Sequence, residues 1–150
     1  MKDVAVIRTG TANLASVVAG LRRAQCNPLL VEDPKVVSCA DYVILPGVGA
    51  FDGAMSRLRK SGMLDCLNEL VLRQKCPVLG ICVGMQMMAN CSEEGVTDGL
   101  GWIDAKVKRF DVTKFTQNTH LPHMGWNDVE LEKEDPLMMG LESDALFYFL

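Results

Sequence analysis

The stretch VLGICVGMQ, Val78 to Gln86, sets a cysteine between two glycines, behind an apolar run and ahead of good helix formers. The apolar run bounded by glycine predicts a buried strand. Met85 and the residues after it predict a helix. Gly80 and Gly84 remove the side chains that would crowd a tight turn between the two. G-x-C-x-G in that setting matches a nucleophile elbow with Cys82 in the serine position. Such a turn holds Cys82 outside the C-terminal edge of the sheet, where open α/β sheets bind ligands. The helix beginning near Val83 directs free N–H groups and a partial positive charge at the sulfur, which favours thiolate. The N–H of Val83, the residue after the nucleophile, is placed to donate to an oxyanion. The plainer alternative for Cys82 is a small buried hydrophobe at a glycine-rich packing point.

The segments around the elbow decide what sheet carries it. DVAVIR (3–8) predicts a short buried strand ending at Gly10, and 11–25 predicts a helix on Leu14, Val17, Val18, Leu21 and Ala24, with Arg22 and Arg23 at its C-terminal end. NPLLVED (27–33) reads as a second strand and DYVILPGVG (41–49) as a third that runs into a glycine turn. Residues 50–75 read as one or two helices broken near Ser61 and Gly62, CPVLGI (76–81) as the fourth strand, and 83–91 as the helix after it. Strand, helix and strand alternate, with near-continuous apolar strands, which predicts a parallel sheet covered on both faces. Beyond CSEEGVTDG the pattern changes. Residues 100–110 alternate apolar and polar and predict a half-exposed, antiparallel strand; 126–132 alternate again; 134–144 read as loop and a short helical turn; and 145–150 form an aromatic strand-like run.

Composition bounds the function. A 150-residue chain suggests one domain and buries roughly 68–70% of its unfolded surface, enough for a core without staples. Net charge is −4 with no basic block, which argues against nucleic acid or anionic membrane as a partner. No apolar run approaches the roughly 20 residues that span a bilayer, and MKDVAVIRTG is too short for a signal-peptide core. The six cysteines, at 26, 39, 66, 76, 82 and 91, form no C-x-x-C pair and no zinc spacing with histidine. Free thiols in a reducing cytoplasm are the expectation.

A second oxyanion donor should come from another loop at the same edge. PGVG (46–49) ends the third strand at the corresponding height, and its glycines let the backbone turn the N–H of Val48 or Gly49 toward the sulfur; a plain strand-ending turn is the alternative. Gln86, one turn into the helix on the face nearest Cys82, hydrogen-bonds a polar substrate or is simply solvated. A base is harder to find. His120 reads as a solvated loop histidine. His123, between Pro122 and Met124, is a weaker candidate because its loop precedes a strand on the antiparallel side. The residues supply a nucleophile and an oxyanion hole without a convincing base.

LGICVGMQ (79–86), LPGVGAF (45–51) and LPHMGWN (121–127), with G-x-x-N-L-x-S-V from Gly10 to Val17, together resemble the glutaminase subunits of imidazole glycerol phosphate synthase, a family of class I, triad-type glutamine amidotransferases. G-I-C-x-G alone fits many triad amidotransferases; PGVG and above all PHMGWN point to this family. The resemblance runs in order from residue 1 to residue 150. It implies an α/β, three-layer, flavodoxin-like open sheet, mostly parallel, with an antiparallel extension. It implies that Cys82 attacks the carboxamide of glutamine, that Val83 and the PGVG turn hold the oxyanion, and that Gly49 and Gln86 lie near the glutamine. Asn13, Pro122, His123, Met124 and Trp126 would lie at or near the interface with a (β/α)₈-barrel cyclase subunit in a heterodimer, which takes up the ammonia. No metal or organic cofactor is implied. The family's catalytic His and Glu fall beyond residue 150, so residues 1–150 are expected to be a single amidotransferase domain whose C-terminal part follows Leu150, inactive by itself. A non-catalytic partner-binding domain, or another triad-type cysteine hydrolase of the same fold, are the alternatives.

Overall fold

A computed structural model describes residues 1–8, 10, 13–37, 40–116, 121–141 and 145–149. His120, Cys39 and Leu150 lie outside the described residues. The chain falls into two compact units, Met1–Arg109 and Phe110–Leu150.

In the first unit, β1 (Asp3–Ile7) pairs in parallel with β2 (Asn27–Val31) on one side and β3 (Tyr42–Gly47) on the other, and β3 pairs in parallel with β4 (Val78–Cys82). The order β2-β1-β3-β4 is that of flavodoxin-like sheets. Side chains alternate across the sheet as the period of a strand requires. Val4, Val6 and Ile44 point to one face, where they meet Leu14, Val17 and Leu21 of α1 (Leu14–Arg23). Ala5, Ile7, Val43 and Leu45 point to the other, where they join Phe51, Met55 and Leu58 of α3 (Phe51–Lys60) and Leu67 of α4 (Leu64–Asn68). Helix, sheet and helix make three layers. Covering on both faces holds for β1 and β3 but not for β4, whose Leu79 and Ile81 stay 49% and 37% exposed. A Leu58→Ala variant, emptying a side chain with no exposed surface, should cost about 2–5 kcal/mol. The check is a lower denaturant midpoint at unchanged slope.

Local chemistry sets the ends of the helices. Asn13 caps α1, its side-chain oxygen accepting the Ser16 N–H at 3.4 Å, and Arg22 and Arg23 occupy the last turn. The break after α3 falls at Ser61 and Gly62, where the Ser61 hydroxyl donates to the Leu58 carbonyl at 2.7 Å and Gly62 has φ +72°. After α4 the chain widens into a π-helical turn, Glu69–Arg73, that the sequence does not announce. The short α2 (Pro34–Val37) is also unannounced, although Asp33 followed by Pro34 is a fair start signal: Asp33 accepts the Lys35 N–H at 2.9 Å.

Two expectations are corrected here. The helix after Cys82, α5 (Val83–Met87), stops four residues before the predicted end at Cys91. The predicted antiparallel strand over 100–110 is reduced to β6 (Lys106–Val107), which pairs in parallel with β5 (Cys91–Ser92). Both have one cause. The N–H groups of Leu100, Gly101 and Ile103 donate to the carbonyls of Met87, Ala89 and Met88, so the 100–103 backbone closes the end of α5 and has none of those donors left for a strand ladder. Trp102 turns inward against the core, its indole N–H donating to Asn68 at 2.8 Å.

In the second unit, β7 (Gly125–Asn127) and β8 (Phe147–Phe149) form an antiparallel pair in which Trp126 faces Tyr148. The strand predicted over 126–132 is thus three residues long and begins at Gly125. The helical turn predicted within 134–144 is a 3₁₀ turn at Pro136–Met138, started by Asp135, which accepts the Leu137 N–H at 3.0 Å.

Candidate active site at the β4–α5 turn

The turn between β4 and α5 is built on close backbone approach. Cys82 has φ +55° and ψ −124°, a conformation that costs a residue with a Cβ on the order of 1–3 kcal/mol. A Cβ on Gly84 would land on the Leu45 carbonyl, 2.7 Å from its carbon; one on Gly80 would meet the Met85 backbone, with its nitrogen at 2.7 Å; one on Gly47 would meet the Gly84 nitrogen and lie 2.9 Å from the Val83 carbonyl carbon. Three glycines therefore let the start of α5 rest directly on β3. The strained cysteine is held by packing from both sides, which is the geometry expected of an elbow.

Gly47 pairs with Cys82 in the β3–β4 register, so the PGVG turn and the elbow leave the sheet at the same level of the same edge. The Val48 carbonyl accepts a hydrogen bond from the Arg57 guanidinium at 3.2 Å. Because the peptide is planar and trans, the Gly49 N–H points the opposite way, away from Arg57. Gly49 itself has φ +83°, with open space where a Cβ would be.

A cleft of about 250 Å³ opens there, lined on one side by Gly49, Val83 and Gln86. Its volume suits an amino acid rather than a larger ligand. Three predicted residues are thus brought together. Cys82 adjoins this wall through Val83 but is not itself among the lining residues; it is half-buried and packs against the core. Val48 is exposed beside it.

The opposite wall was not foreseen. It consists of Ser92, Glu93 and Glu94 with Val107, Lys108 and Arg109. The early end of α5 and the β5–β6 pairing bring these two segments together, the Glu93 N–H donating to the Val107 carbonyl at 2.9 Å. Glu93 is engaged: it accepts the Arg109 N–H at 3.0 Å and lies 3.8 Å from the Lys106 ammonium. Glu94 is fixed by the Phe51 N–H at 3.0 Å, while its own N–H donates to the Ser92 hydroxyl. Among the described residues neither Lys108 nor Arg109 forms an ion pair. The wall therefore presents a carboxylate and two cations, matched to a zwitterion. The acidic pair Glu93–Glu94, a few residues past α5, is the signal that could have pointed here.

The remaining predicted residues belong to the second unit, apart from Asn13. His123 Nε2 lies 2.7 Å from the Asn127 side-chain amide, and its ring meets that of Phe149 at a tilt of 56°, with centroids 5.8 Å apart. Both contacts are with residues of the second unit. Pro122 is exposed, and Met124 and Trp126 are 60% and 67% exposed. Asn13 is exposed at the α1 cap. Among the described residues no group of three or more His, Cys, Asp or Glu side chains is placed to hold a metal ion.

Comparison with known proteins bears on this geometry. The profile of the family "Glutamine amidotransferase class-I" matches residues 6–147. The imidazole glycerol phosphate synthase subunit HisH of Bdellovibrio bacteriovorus is 44% identical over 147 residues, covering 98% of this chain and 72% of the relative. The subunit HisH 2 of Pseudomonas aeruginosa is 42% identical, covering 98% and 71%, and the Synechococcus elongatus HisH subunit 41%, covering 99% and 67%. A crystal structure of a glutamine amidotransferase superposes with a TM-score of 0.60 at 20% identity, over 77% of this chain and 59% of that one, and carries the fold alone.

Proposed function

The chain belongs to the class-I glutamine amidotransferases, among the HisH subunits of imidazole glycerol phosphate synthase, and from that premise we propose that Cys82 is the nucleophile for glutamine hydrolysis. Its function is that of a glutaminase subunit in histidine biosynthesis, working with a synthase partner subunit. The thiolate of Cys82 attacks the carboxamide carbon. Charge on the carbonyl oxygen is met by the N–H of Val83 and by an N–H of the Val48–Gly49 turn. The C–N bond breaks, ammonia leaves with the proton delivered by the general acid, and water then hydrolyses the glutamyl thioester to glutamate and restores the thiol.

The observation that carries this reading is the register Gly47 to Cys82, which sets turn and nucleophile side by side at one sheet edge, where Gly49 and Val83 line a cleft sized for an amino acid. Within it, Gln86 and Gly49 flank the substrate, Glu94 faces its ammonium group, and Lys108 and Arg109 face its carboxylate. The base is not assigned to His123, whose Nε2 lies in contact with the Asn127 side-chain amide. The base and the carboxylate that orients it are not assigned among the described residues. The partner is a (β/α)₈-barrel cyclase subunit in a cytoplasmic heterodimer. The exposed Trp126 and Met124 beside Pro122 and His123 supply the kind of apolar anchor that interfaces use, and Asn13 is a further partner contact. Among the described residues no helix is long and apolar enough to cross a membrane.

The test is covalent. A glutamine-like electrophile should label Cys82 selectively over the other five cysteines, with the site read by peptide mass mapping. Burial pushes the Cys66 and Cys76 thiols up, which slows them further. Equal labelling of all six would overturn the assignment.

A further inference from the structure

The acidic wall of the cleft is braced from the start of α3. The Asp52 carboxylate accepts two backbone N–H groups from the turn that follows Glu94: Val96 at 3.1 Å on Oδ2 and Thr97 at 3.0 Å on Oδ1. In the other direction, the N–H of its neighbour Phe51 donates to Glu94 Oε2 at 3.0 Å. Further along α3, the Arg59 guanidinium reaches the same turn at the Asp98 carbonyl, at 2.8 Å. Gly95 closes the arrangement, since a Cβ there would press on the Asp52 carboxylate, 2.8 Å from Oδ2. Apolar burial does not hold this turn, because Val96 is 98% exposed.

We propose that Asp52 is a positioning residue for glutamine: by clamping the turn at 95–97 it sets the Glu94 carboxylate where the ammonium group of the substrate lies. The proposal rests on the glutaminase reading and on the place given there to Glu94. Glu94 is an exposed side chain on a loop. Left free, it would lose rotamer and backbone freedom on meeting the substrate, and that loss would subtract from affinity. The clamp removes it in advance. The two N–H donors also hold the Asp52 carboxyl below the ordinary carboxylate range, so the clamp stays charged at neutral pH. An acid in the first turn of α3 would in any case favour the helix dipole. That lesser role has no bearing on which substrate is preferred, and this difference is what the experiment reads.

Asp52→Asn, Gly95→Ala and Glu94→Gln are compared with the unaltered protein, each in the complex with the synthase partner. The substrates are glutamine and glutaramate, which has hydrogen in place of the α-amino group. The readout is the ratio of kcat/KM for glutamine to that for glutaramate. All three variants should lower the ratio about tenfold, through KM for glutamine, as expected for a misplaced charged hydrogen-bond partner. If Glu94→Gln lowers the ratio while Asp52→Asn and Gly95→Ala leave it unchanged, the proposal is overturned and the role of Glu94 stands. If Glu94→Gln leaves it unchanged, the ammonium site lies elsewhere and the proposal falls with it, while labelling of Cys82 still tests the nucleophile. An equal fall for both substrates in Asp52→Asn and Gly95→Ala would mark general loss of structure and also overturns it.

Discussion

Cys82→Ala should abolish glutamine hydrolysis in the complex with the synthase partner, by a factor of at least about a thousand. Without the sulfur no thioester forms, and what the oxyanion donors retain over water is small beside the loss of a covalent nucleophile. Activity within about tenfold of the unaltered protein would end the nucleophile assignment, since losing a mere packing side chain is not expected to cost orders of magnitude in rate. Cys82→Gly carries a second, opposite expectation. Cys82 sits at φ +55° and ψ −124°, where glycine is at ease and a residue with a Cβ is not. The glycine variant should therefore be more stable than the alanine variant, by about 1 kcal/mol, while being just as inactive. A turn that is more stable with glycine than with alanine is one that holds a side chain in a strained place, as a site kept for chemistry does. If the glycine variant is the less stable of the two, the turn is not strained and the cysteine belongs to the core that Phe51 and Met87 build around it.

How much of this was legible in the sequence depends on whether the cause was local. The elbow was legible because its cause is backbone contact: Gly80 and Gly84 are glycines since nothing larger fits beneath Leu45 and Met85, and a glycine prints that requirement directly. The PGVG turn was legible for the same reason, and the parallel sheet followed from the apolar strands at β1 and β3. The facing wall of the cleft was not. Met88 and Ala89 read as good helix formers, yet α5 ends because the N–H groups of Leu100, Gly101 and Ile103, more than ten residues on, take up its last carbonyls. No propensity carries that information. The consequence was a misplaced strand over 100–110 and a missed Glu94. Trp102 shows the same limit: its ring goes to the core and to Asn68, where alternation alone would leave it on a strand. His123 read as a weak candidate for the base from its place in the chain; its contact with Asn127 is visible only in the structure.

Gly84→Ala should be the most damaging of the glycine substitutions to the fold. The added methyl would sit on the Leu45 carbonyl, 2.7 Å from its carbon and 3.1 Å from the carbonyl carbon of Pro46. Every obstacle is backbone, so no rotamer change relieves it; α5 must lift from β3, carrying Val83 and Gln86 with it. The expected cost is about 3 kcal/mol, the upper end of ordinary overpacking, read as a lower denaturant midpoint. Glutaminase activity should fall further than stability alone explains, since the Val83 N–H leaves its place. Gly20→Ala supplies the contrast. Gly20 lies inside α1 with nothing within 4 Å of an added Cβ, so alanine there should stabilise by about 0.5–1 kcal/mol. The opposite signs separate a glycine required by close approach from one that is merely tolerated. If both variants shift stability the same way, the contact between the start of α5 and β3 is looser than these distances require, and the elbow loses the support that keeps Cys82 strained.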